Sequence, residues 1–291
     1  MKERDRPFYQ IVDGHRLPGI FREDVYRSGL LYKPVEGDVV LDTFPKSGSH
    51  WVLKILKESY RLCKGITPGS TFLEMFGLEG VLRADRPRIV CTHLPLTLLP
   101  FVPSVKYIYL ARNPKDCCVS FYNHTKIIPE YGFQDGTFDE YFEIFLDGLT
   151  DFGNYYDSIR SWYAKRDEPN VLFLTYESLH ADIRGSVIKL ADFVDQALAD
   201  ELSHDDNKMQ TVLEEININN MKKNLPLQFV RKGVVGEWKH YFSEEQSRKL
   251  ESRFFLEMEE TTVPEIWESV DWLLASAKQN ILAEVLLNKL S

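Results

Sequence analysis

The chain has 291 residues, of which 44% are apolar and 13% are aromatic. That length allows one large domain or two small ones, and the apolar content is sufficient for a hydrophobic core, so a generally disordered chain is excluded. The formal net charge of −9 argues against nucleic-acid binding as the main function, although it is compatible with a local basic pocket.

The four cysteines are Cys63, Cys91, Cys117 and Cys118, and they follow neither a C-x-x-C spacing nor a zinc-site spacing with histidines. They therefore predict reduced thiols in a cytoplasmic protein without a metal site. The charged start of the chain does not resemble a signal peptide, and no run of about 18 apolar residues predicts a membrane span. We expect neither a membrane nor a nucleic acid as a partner.

Residues 1–37 are rich in turns and predict a surface-wrapping segment with short strands. A run of β-forming residues follows at 38–44, and a Pro-Lys-Ser-Gly turn then leads into apolar residues at helical spacing over 51–60. This succession predicts a strand, a tight loop and a helix.

The same pattern recurs further along the chain. Buried strands are predicted at 88–92, 106–111 and 170–176, and the second leads to Pro114, which suits the first position of a helix. Another helix is predicted around 182–195. Strands that alternate with helices predict an α/β fold with a central, mostly parallel sheet flanked by helices.

Neither an internal repeat nor a linker marks a second domain, so a single domain over 1–291 is predicted. The segment 243–291 has helical patterns, and Ser243 and Gln246 fit a capping box at its start. The last helix either packs on the chain's own core or binds a partner.

The loop after the first strand has the composition of an anion site. A strand that leads into a helix presents unpaired backbone N–H groups and the positive end of the helix dipole. Gly48 allows close backbone approach, Ser47 and Ser49 add hydroxyl groups, and Lys46 adds a positive charge. The alternative is an ordinary turn with a surface lysine. The nucleoside triphosphate loop places its lysine after the second glycine, and this loop does not.

The phosphosulfate loop of the cytosolic sulfotransferases has the form T-[YF]-P-K-S-G-T-T-W, and residues 43–51, TFPKSGSHW, resemble it. Further motifs of that family are matched in order by 92–95 (THLP), 109–116 (YLARNPKD) with 119–120 (VS), 174–179 (LTYESL) and 229–239 (FVRKGVVGEWK). The resemblance extends over about residues 35–245. It implies a P-loop-like phosphosulfate-binding loop and a sulfotransferase activity.

The resemblance implies 3′-phosphoadenosine 5′-phosphosulfate (PAPS) as the donor and 3′-phosphoadenosine 5′-phosphate (PAP) as the product. The residues that it assigns to the 5′-phosphate are Lys46, Ser47, Gly48, Ser49 and His50. The residues that it assigns to the 3′-phosphate are Arg112, Ser120, Arg231, Lys232 and Gly233. It also implies that Trp51 stacks on the adenine and that Tyr176 forms a hydrogen bond near the base.

Three catalytic residues are implied by the same resemblance. His93 is assigned as the general base that takes the proton of the acceptor, and Lys46 as the group that stabilises the leaving phosphate. Ser120 is also assigned to catalysis. This chain departs from the family at Cys91, where many relatives have a lysine, and at 216–218, where Ile-Asn-Ile replaces Thr-Ser-Phe and removes an aromatic ring.

The acceptor pocket is implied only by the position of the family's acceptor loops. The predicted substrate-binding residues are Phe72, Phe76, His93, Tyr122, His124 and Ile128. Most of them are apolar or aromatic, which favours a small phenol, hydrophobic alcohol or amine. Three acids, Glu74, Glu79 and Glu130, either attract a cationic amine or lie solvated on the surface.

Two alternatives to an active sulfotransferase are considered. A kinase of another class would require magnesium and a triphosphate, for which the sequence offers no acidic pair in a suitable place. A non-catalytic nucleotide-binding homologue is motivated by Cys91 and by 216–218. The family's dimer signature is matched only in part from Lys239 onward, so a homodimer is left open.

Overall fold

The computed structural model describes residues 6–225, 231–259 and 261–267, apart from the side chain of Asn224. The strands of the described chain are β1 (Tyr9–Val12), β2 (His15–Pro18), β3 (Asp38–Thr43), β4 (Gly69–Phe72), β5 (Arg88–Thr92), β6 (Lys106–Ala111) and β7 (Val171–Thr175). The helices are α1 (Glu23–Gly29), α2 (Ser49–Lys64), α3 (Leu73–Arg83), α4 (Pro114–Ile127), α5 (Phe138–Leu146), α6 (Tyr155–Tyr163), α7 (Tyr176–Ala181), α8 (Ile183–Val194), α9 (Gln196–His204), α10 (Asp206–Glu215), α11 (Ile218–Asn224) and α12 (Glu244–Glu257). Short 3₁₀ helices lie at Leu96–Leu98, Pro129–Tyr131, Glu237–His240 and Val263–Trp267.

Five strands form a parallel sheet in the order β4-β5-β3-β6-β7, whereas β1 and β2 form a separate antiparallel hairpin. The predicted α/β class and the four predicted strands are therefore confirmed. The sequence analysis missed β4, because its Gly-Ser-Thr-Phe sequence lacks the apolar run by which a buried strand is recognised.

The central strand β3 passes between two apolar cores, one on each face of the sheet. Val40 belongs to the core on one face, while Val39 and Leu41 belong to the core on the other. Alternate side chains of a strand point to opposite faces, so β3 is apolar almost throughout because both of its faces are covered.

The hairpin β1–β2 and the residues just before it are bonded to two loops that line a cavity. The backbone N–H of Phe8 donates to Tyr131 O at 2.7 Å, and that of Phe152 donates to Arg16 O at 2.8 Å. These bonds fasten the hairpin β1–β2 against the loops that follow α4 and α5. The hairpin thus becomes a wall of the cavity.

The helix α12 begins at the predicted capping box, in which Gln246 N donates to Ser243 Oγ at 3.1 Å and Ser243 N donates to Gln246 Oε1 at 2.9 Å. The predicted last helix falls largely on residues 268–291, which lie outside the described residues. Among the helices that the structure describes, none has both the length and the apolar character needed to cross a bilayer.

Candidate active site

A cavity of about 630 Å³ opens where the parallel strands end. Lys46 follows β3, His93 follows β5, Arg112 follows β6, and Tyr176 follows β7, and all four line the cavity. The carboxyl ends of parallel strands lie at one edge of a sheet, so residues far apart in the sequence meet there.

The loop between β3 and α2 has an unusual backbone shape. Lys46 has a φ of 70° and Gly48 a φ of 115°, both in the left-handed region. A Cβ atom on Gly48 would lie 3.0 Å from Tyr176 Cδ2 and 3.1 Å from Leu110 Cδ2, so a larger residue would disturb the loop. A strained lysine is retained only where the surroundings hold it, and here it directs the chain into the N-terminus of α2. That terminus attracts anions.

The end of the cavity that is lined by Lys46, Arg112, Arg231 and Lys232 is its polar end, and the opposite end, lined mostly by aromatic side chains, is its apolar end. Arg112 joins the two loops of the polar end. Its Nη1 donates to Lys46 O at 3.1 Å, and its Nη2 donates to Val234 O at 3.2 Å. The guanidinium also lies over the ring of Tyr176, 4.4 Å from its centroid, and that ring is 5.3 Å from the ring of Trp51. One arginine therefore connects the β3–α2 loop, the loop after 231 and the aromatic pair.

Arg231 and Lys232 line the cavity together with Glu237, to which both are paired. Lys232 Nζ lies 2.9 Å from Glu237 Oε1. Although burial by itself would raise the pKa of Glu237, the hydrogen bonds from the two cations lower it. Asp116 positions the same segment by accepting from Gly236 N at 2.7 Å and Trp238 N at 2.9 Å. The cations are thus held in place before any anion binds.

Lys46 is surrounded by other basic groups. Its Nζ lies 3.3 Å from His124 Nδ1. Burial, followed by the positive charge of Arg112, lowers the pKa of Lys46 to about 7, and burial followed by Lys46 lowers the pKa of His50 to about 4. An anion at this point would favour the charged amine.

His93 presents one ring nitrogen for proton transfer. Its Nδ1 lies 2.6 Å from Thr43 O, a carbonyl oxygen that only accepts, so Nδ1 carries the proton. Nε2 is then the nitrogen that can take a proton. Burial lowers the pKa of His93 to about 3, so the ring is neutral near pH 7. The rings of Phe72 and Phe152 lie 4.8 Å and 5.3 Å from it.

Glu74 holds the backbone of His93 and is not a surface acid. Its Oε1 accepts from Thr92 Oγ1 at 2.7 Å and from His93 N at 2.5 Å, and the residue is 1% exposed. Burial raises the pKa of Glu74 to about 7. Glu79, in contrast, is exposed and paired with Arg83. The suggestion that Glu74 is solvated on the surface is therefore wrong.

Most of the predicted site residues line this one cavity. From the donor set these are Lys46, Gly48, Ser49, His50, Trp51, Arg112, Ser120, Tyr176, Arg231, Lys232 and Gly233. From the acceptor set they are Phe72, Phe76, His93, His124 and Ile128. The departures from the family at Ile216, Asn217 and Ile218 line it as well.

Two predicted residues do not line the cavity. Ser47 is fully buried, and its N–H donates to Phe44 O within the turn. Tyr122 is packed against Phe138, and its hydroxyl donates to Gly136 O at 3.2 Å. Ser120, which does line the cavity, lies two helical positions earlier on α4, and two positions turn a side chain to the opposite face.

Sequence reasoning missed several lining residues at the apolar end. They are Pro18, Ile20, Phe21, Met75, Asp151 and Phe152. These six lie in segments without a motif, so periodicity offered no signal. Phe121 and Tyr131, which line the cavity as well, lie where the family places its acceptor loops. Phe152 has a φ of 63°, and the sequence Thr-Asp-Phe-Gly does not predict this backbone conformation.

The polar end has unfilled hydrogen-bonding capacity that suits an anion. Arg112 Nε and Arg231 Nε are buried and have no hydrogen-bond partner in the described part of the chain. Buried donors are normally paired, and phosphate oxygens pair with guanidinium groups in a bidentate manner. Gly233 adds close approach, since a Cβ there would lie 2.9 Å from Ile218 Cδ1. These residues fit a nucleotide with two phosphate groups.

A family model described as the sulfotransferase domain matches residues 36–262. The chain is 33% identical over 264 residues to sulfotransferase 1B1 of Mus musculus, which covers 80% of this chain and 86% of that protein. It is 34% identical over 257 residues to sulfotransferase 1E1 of Homo sapiens, covering 78% and 85%. The crystal structure of mouse sulfotransferase SULT7A1 complexed with PAP is similar with a TM-score of 0.76 at 25% identity, covering 90% of this chain and 98% of that one.

Proposed function

We propose a set of catalytic roles and an acceptor class for this chain, which belongs to the sulfotransferase family. It is a sulfotransferase that depends on PAPS, and PAPS supplies the sulfuryl group when it is bound. The observation that carries the proposal is that His93, Lys46 and the cations Arg112 and Arg231 all line one cavity.

The polar end of the cavity is the proposed donor site. Lys46, Ser49 and the N-terminus of α2 would hold the 5′-phosphate, while Arg112 and Arg231 would hold the 3′-phosphate. Lys46 then places positive charge beside the bond that breaks, where negative charge increases during transfer. Trp51 offers a ring surface for the adenine, and the neighbouring Tyr176 would form a hydrogen bond near the base.

The apolar end is the proposed acceptor site. Its wall is formed largely by aromatic side chains, which favours a small phenol or another hydrophobic hydroxyl or amine. His93 takes the proton of the attacking group at Nε2, while its bond from Nδ1 to Thr43 O maintains the tautomer. Phe72 and Phe152 hold the ring from two sides.

The cytoplasm is the proposed compartment. All four cysteines are unpaired, and three of them, Cys91, Cys117 and Cys118, are buried. Free thiols in this number are typical of a reducing compartment. The resemblance of residues 43–51 and the later motifs to the cytosolic sulfotransferases supports the same proposal.

The test is the variant His93→Ala. Loss of a general base reduces turnover by about 10²–10⁴-fold, so kcat with a phenolic acceptor should fall by that factor. Binding of PAP, measured by titration calorimetry, should stay close to wild type because His93 lies outside the proposed phosphate contacts. Sulfated product is measured by mass spectrometry.

The control is His204→Ala. His204 Nδ1 also lies 2.6 Å from a main-chain carbonyl, that of Asp200, but the residue is exposed and does not line the cavity. Retention of most turnover in His93→Ala would remove His93 from the mechanism. Absence of transfer by the wild-type protein to phenols, alcohols and amines, with PAP still bound, would instead favour the non-catalytic homologue.

A further inference from the structure

The apolar end of the cavity contains one acid that the proposed reaction does not use. Asp151 lines the cavity and is 1% exposed. It lies in the loop after α5, between residues that have no motif, and it was not among the candidate residues identified from the sequence. A buried carboxyl group costs free energy unless its oxygens are satisfied, so its position requires an explanation.

Only one of the two carboxyl oxygens of Asp151 is satisfied. Tyr131 donates its hydroxyl to Oδ2 at 2.7 Å. Oδ1 is buried and has no hydrogen-bond partner among the residues that the structure describes. Tyr131 is itself 2% exposed and lines the cavity. Its hydroxyl group and the carboxyl group of Asp151 therefore form a polar pair in a largely apolar wall.

The backbone beside Asp151 is held in a strained conformation. Phe152 has a φ of 63°, which is rare for an aromatic residue, and its N–H donates to Arg16 O at 2.8 Å. Its ring lies 5.3 Å from the ring of His93 and 5.8 Å from the ring of Phe21. The same turn therefore directs one residue against the proposed base and places the carboxyl group in the cavity wall. A strained backbone of this kind is tolerated where contacts with the surrounding residues fix the conformation.

The charge of the Asp151 carboxyl group depends on the groups that surround it. Burial raises the pKa of Asp151 to about 7, against hydrogen bonding by Tyr131 and the charges of Arg16 and Lys46, which lower it. A ligand that donates a hydrogen bond to Oδ1 would satisfy the carboxylate, and a protonated amine would also pair its charge. An entirely apolar ligand would leave Oδ1 desolvated and unpaired.

We infer that Asp151 selects acceptors that carry a second hydrogen-bond donor, a hydroxyl or a protonated amine, in addition to the group that is sulfated. This inference rests on the proposed function, because it assigns the apolar end of the cavity to the acceptor. It narrows the acceptor class from hydrophobic phenols in general to those with a polar substituent at a second position.

The experiment compares three phenols of similar size: 4-ethylphenol, 4-(2-hydroxyethyl)phenol and 4-(2-aminoethyl)phenol. A buried hydrogen bond to a charged group discriminates by about 10–100-fold, so wild-type kcat/KM should be higher by that factor for at least one of the two polar phenols. Preference for the amine would identify charge pairing, and equal preference for both polar phenols would identify neutral hydrogen bonding. Both results support the inference.

Two variants separate selection from a structural role. In Asp151→Asn, the ratio of kcat/KM between the polar phenols and 4-ethylphenol should decrease about 10-fold, because an amide no longer offers two acceptor oxygens. In Tyr131→Phe, the carboxyl group remains and the ratio should stay high. If Asp151 only anchored Tyr131, both variants would lower activity toward all three phenols alike, and the ratio would not change.

The failures of the two proposals can be told apart. Sulfation of 4-ethylphenol by the wild-type protein as efficiently as of both polar phenols would overturn the role of Asp151 and leave the proposed function standing. Absence of sulfation of every phenol tested, together with absence of transfer to alcohols and amines, would overturn the proposed function itself. The wild-type ratio needs no variant, so it decides the matter even if Asp151→Asn does not fold.

Discussion

The two ends of the cavity are built in different ways. At the polar end, Lys46 and Arg112 each lie within three residues of the end of a strand, and each stands in a short sequence motif. At the apolar end, Phe21, Phe76 and Asp151 come from three separate segments that meet only in the fold. The comparison teaches that the proposed anion site depends on local backbone shape, whereas the apolar pocket depends on how distant segments pack.

The two ends also differ in how firmly their parts are connected. Arg112 bonds both loops of the polar end, and Asp116 bonds two N–H groups of the segment after 231. The apolar end includes side chains that are open to solvent, such as Phe76 at 55% and Ile20 at 42% exposure. We therefore expect substitutions at the polar end to have larger effects than substitutions at the apolar end.

The largest effect on PAP binding is expected for Arg112→Ala. The variant loses the proposed contact to a phosphate group and both carbonyl bonds, so the Kd for PAP should rise by about 10–100-fold. Arg166→Ala is a matched control, since Arg166 also lies over a tyrosine ring, 4.0 Å from the centroid of Tyr163, but does not line the cavity. Titration calorimetry measures both. A wild-type Kd in Arg112→Ala would contradict the proposed role of Arg112 at the 3′-phosphate.

A smaller effect, confined to the other end, is expected for Phe76→Ala. Loss of partly buried aromatic area should raise KM for a hydrophobic phenol by about 5–10-fold, which corresponds to about 1 kcal/mol of lost apolar contact. The Kd for PAP should not change. Leu82→Ala is the control, because Leu82 lies on the same helix, is 71% exposed and does not line the cavity. Equal changes in KM and in the Kd for PAP would show that the two ends are not separate.

An effect on stability rather than on ligand binding is expected for Glu74→Gln, beside His93. The folded protein keeps the Glu74 proton up to about pH 7, whereas the unfolded chain releases it near pH 4.5, so wild-type stability decreases with rising pH between these values. The variant lacks this contribution and keeps an oxygen for His93 N. Its free energy of unfolding relative to wild type should thus rise by on the order of 1–3 kcal/mol from pH 5 to pH 7.5.

Urea denaturation of both proteins at the two pH values measures this difference. Asp42, His50, His93 and Asp151 also have shifted pKa values and are present in both proteins, so the difference reports Glu74 together with its coupling to Asp42, whose pKa the Glu74 charge helps to raise. A difference that does not change with pH would show that Glu74 is ionised in the fold. The contrast between the ends would then rest on Arg112 and Phe76 alone.

Much of the fold could be predicted from the sequence because its elements are strongly patterned. The strands β3, β5, β6 and β7 are apolar runs, and α2 has apolar residues at helical spacing, so period and composition agree. Period and composition did not predict the short strand β4, and they could not show that Tyr122 points away from the cavity. Pairing with β5 stabilises β4, and the orientation of α4 decides which of its faces lines the cavity.

The sequence by itself determined the family and the polar end of the cavity. A phosphate loop requires Gly48 and Lys46 at fixed positions after a strand, and such local requirements are visible in the order of residues. Only the tertiary structure decided the apolar end, where Phe152 meets Arg16 and Phe21, more than a hundred positions away. Apolar packing and a buried carboxyl group depend on which segments meet in space, and no local pattern encodes that.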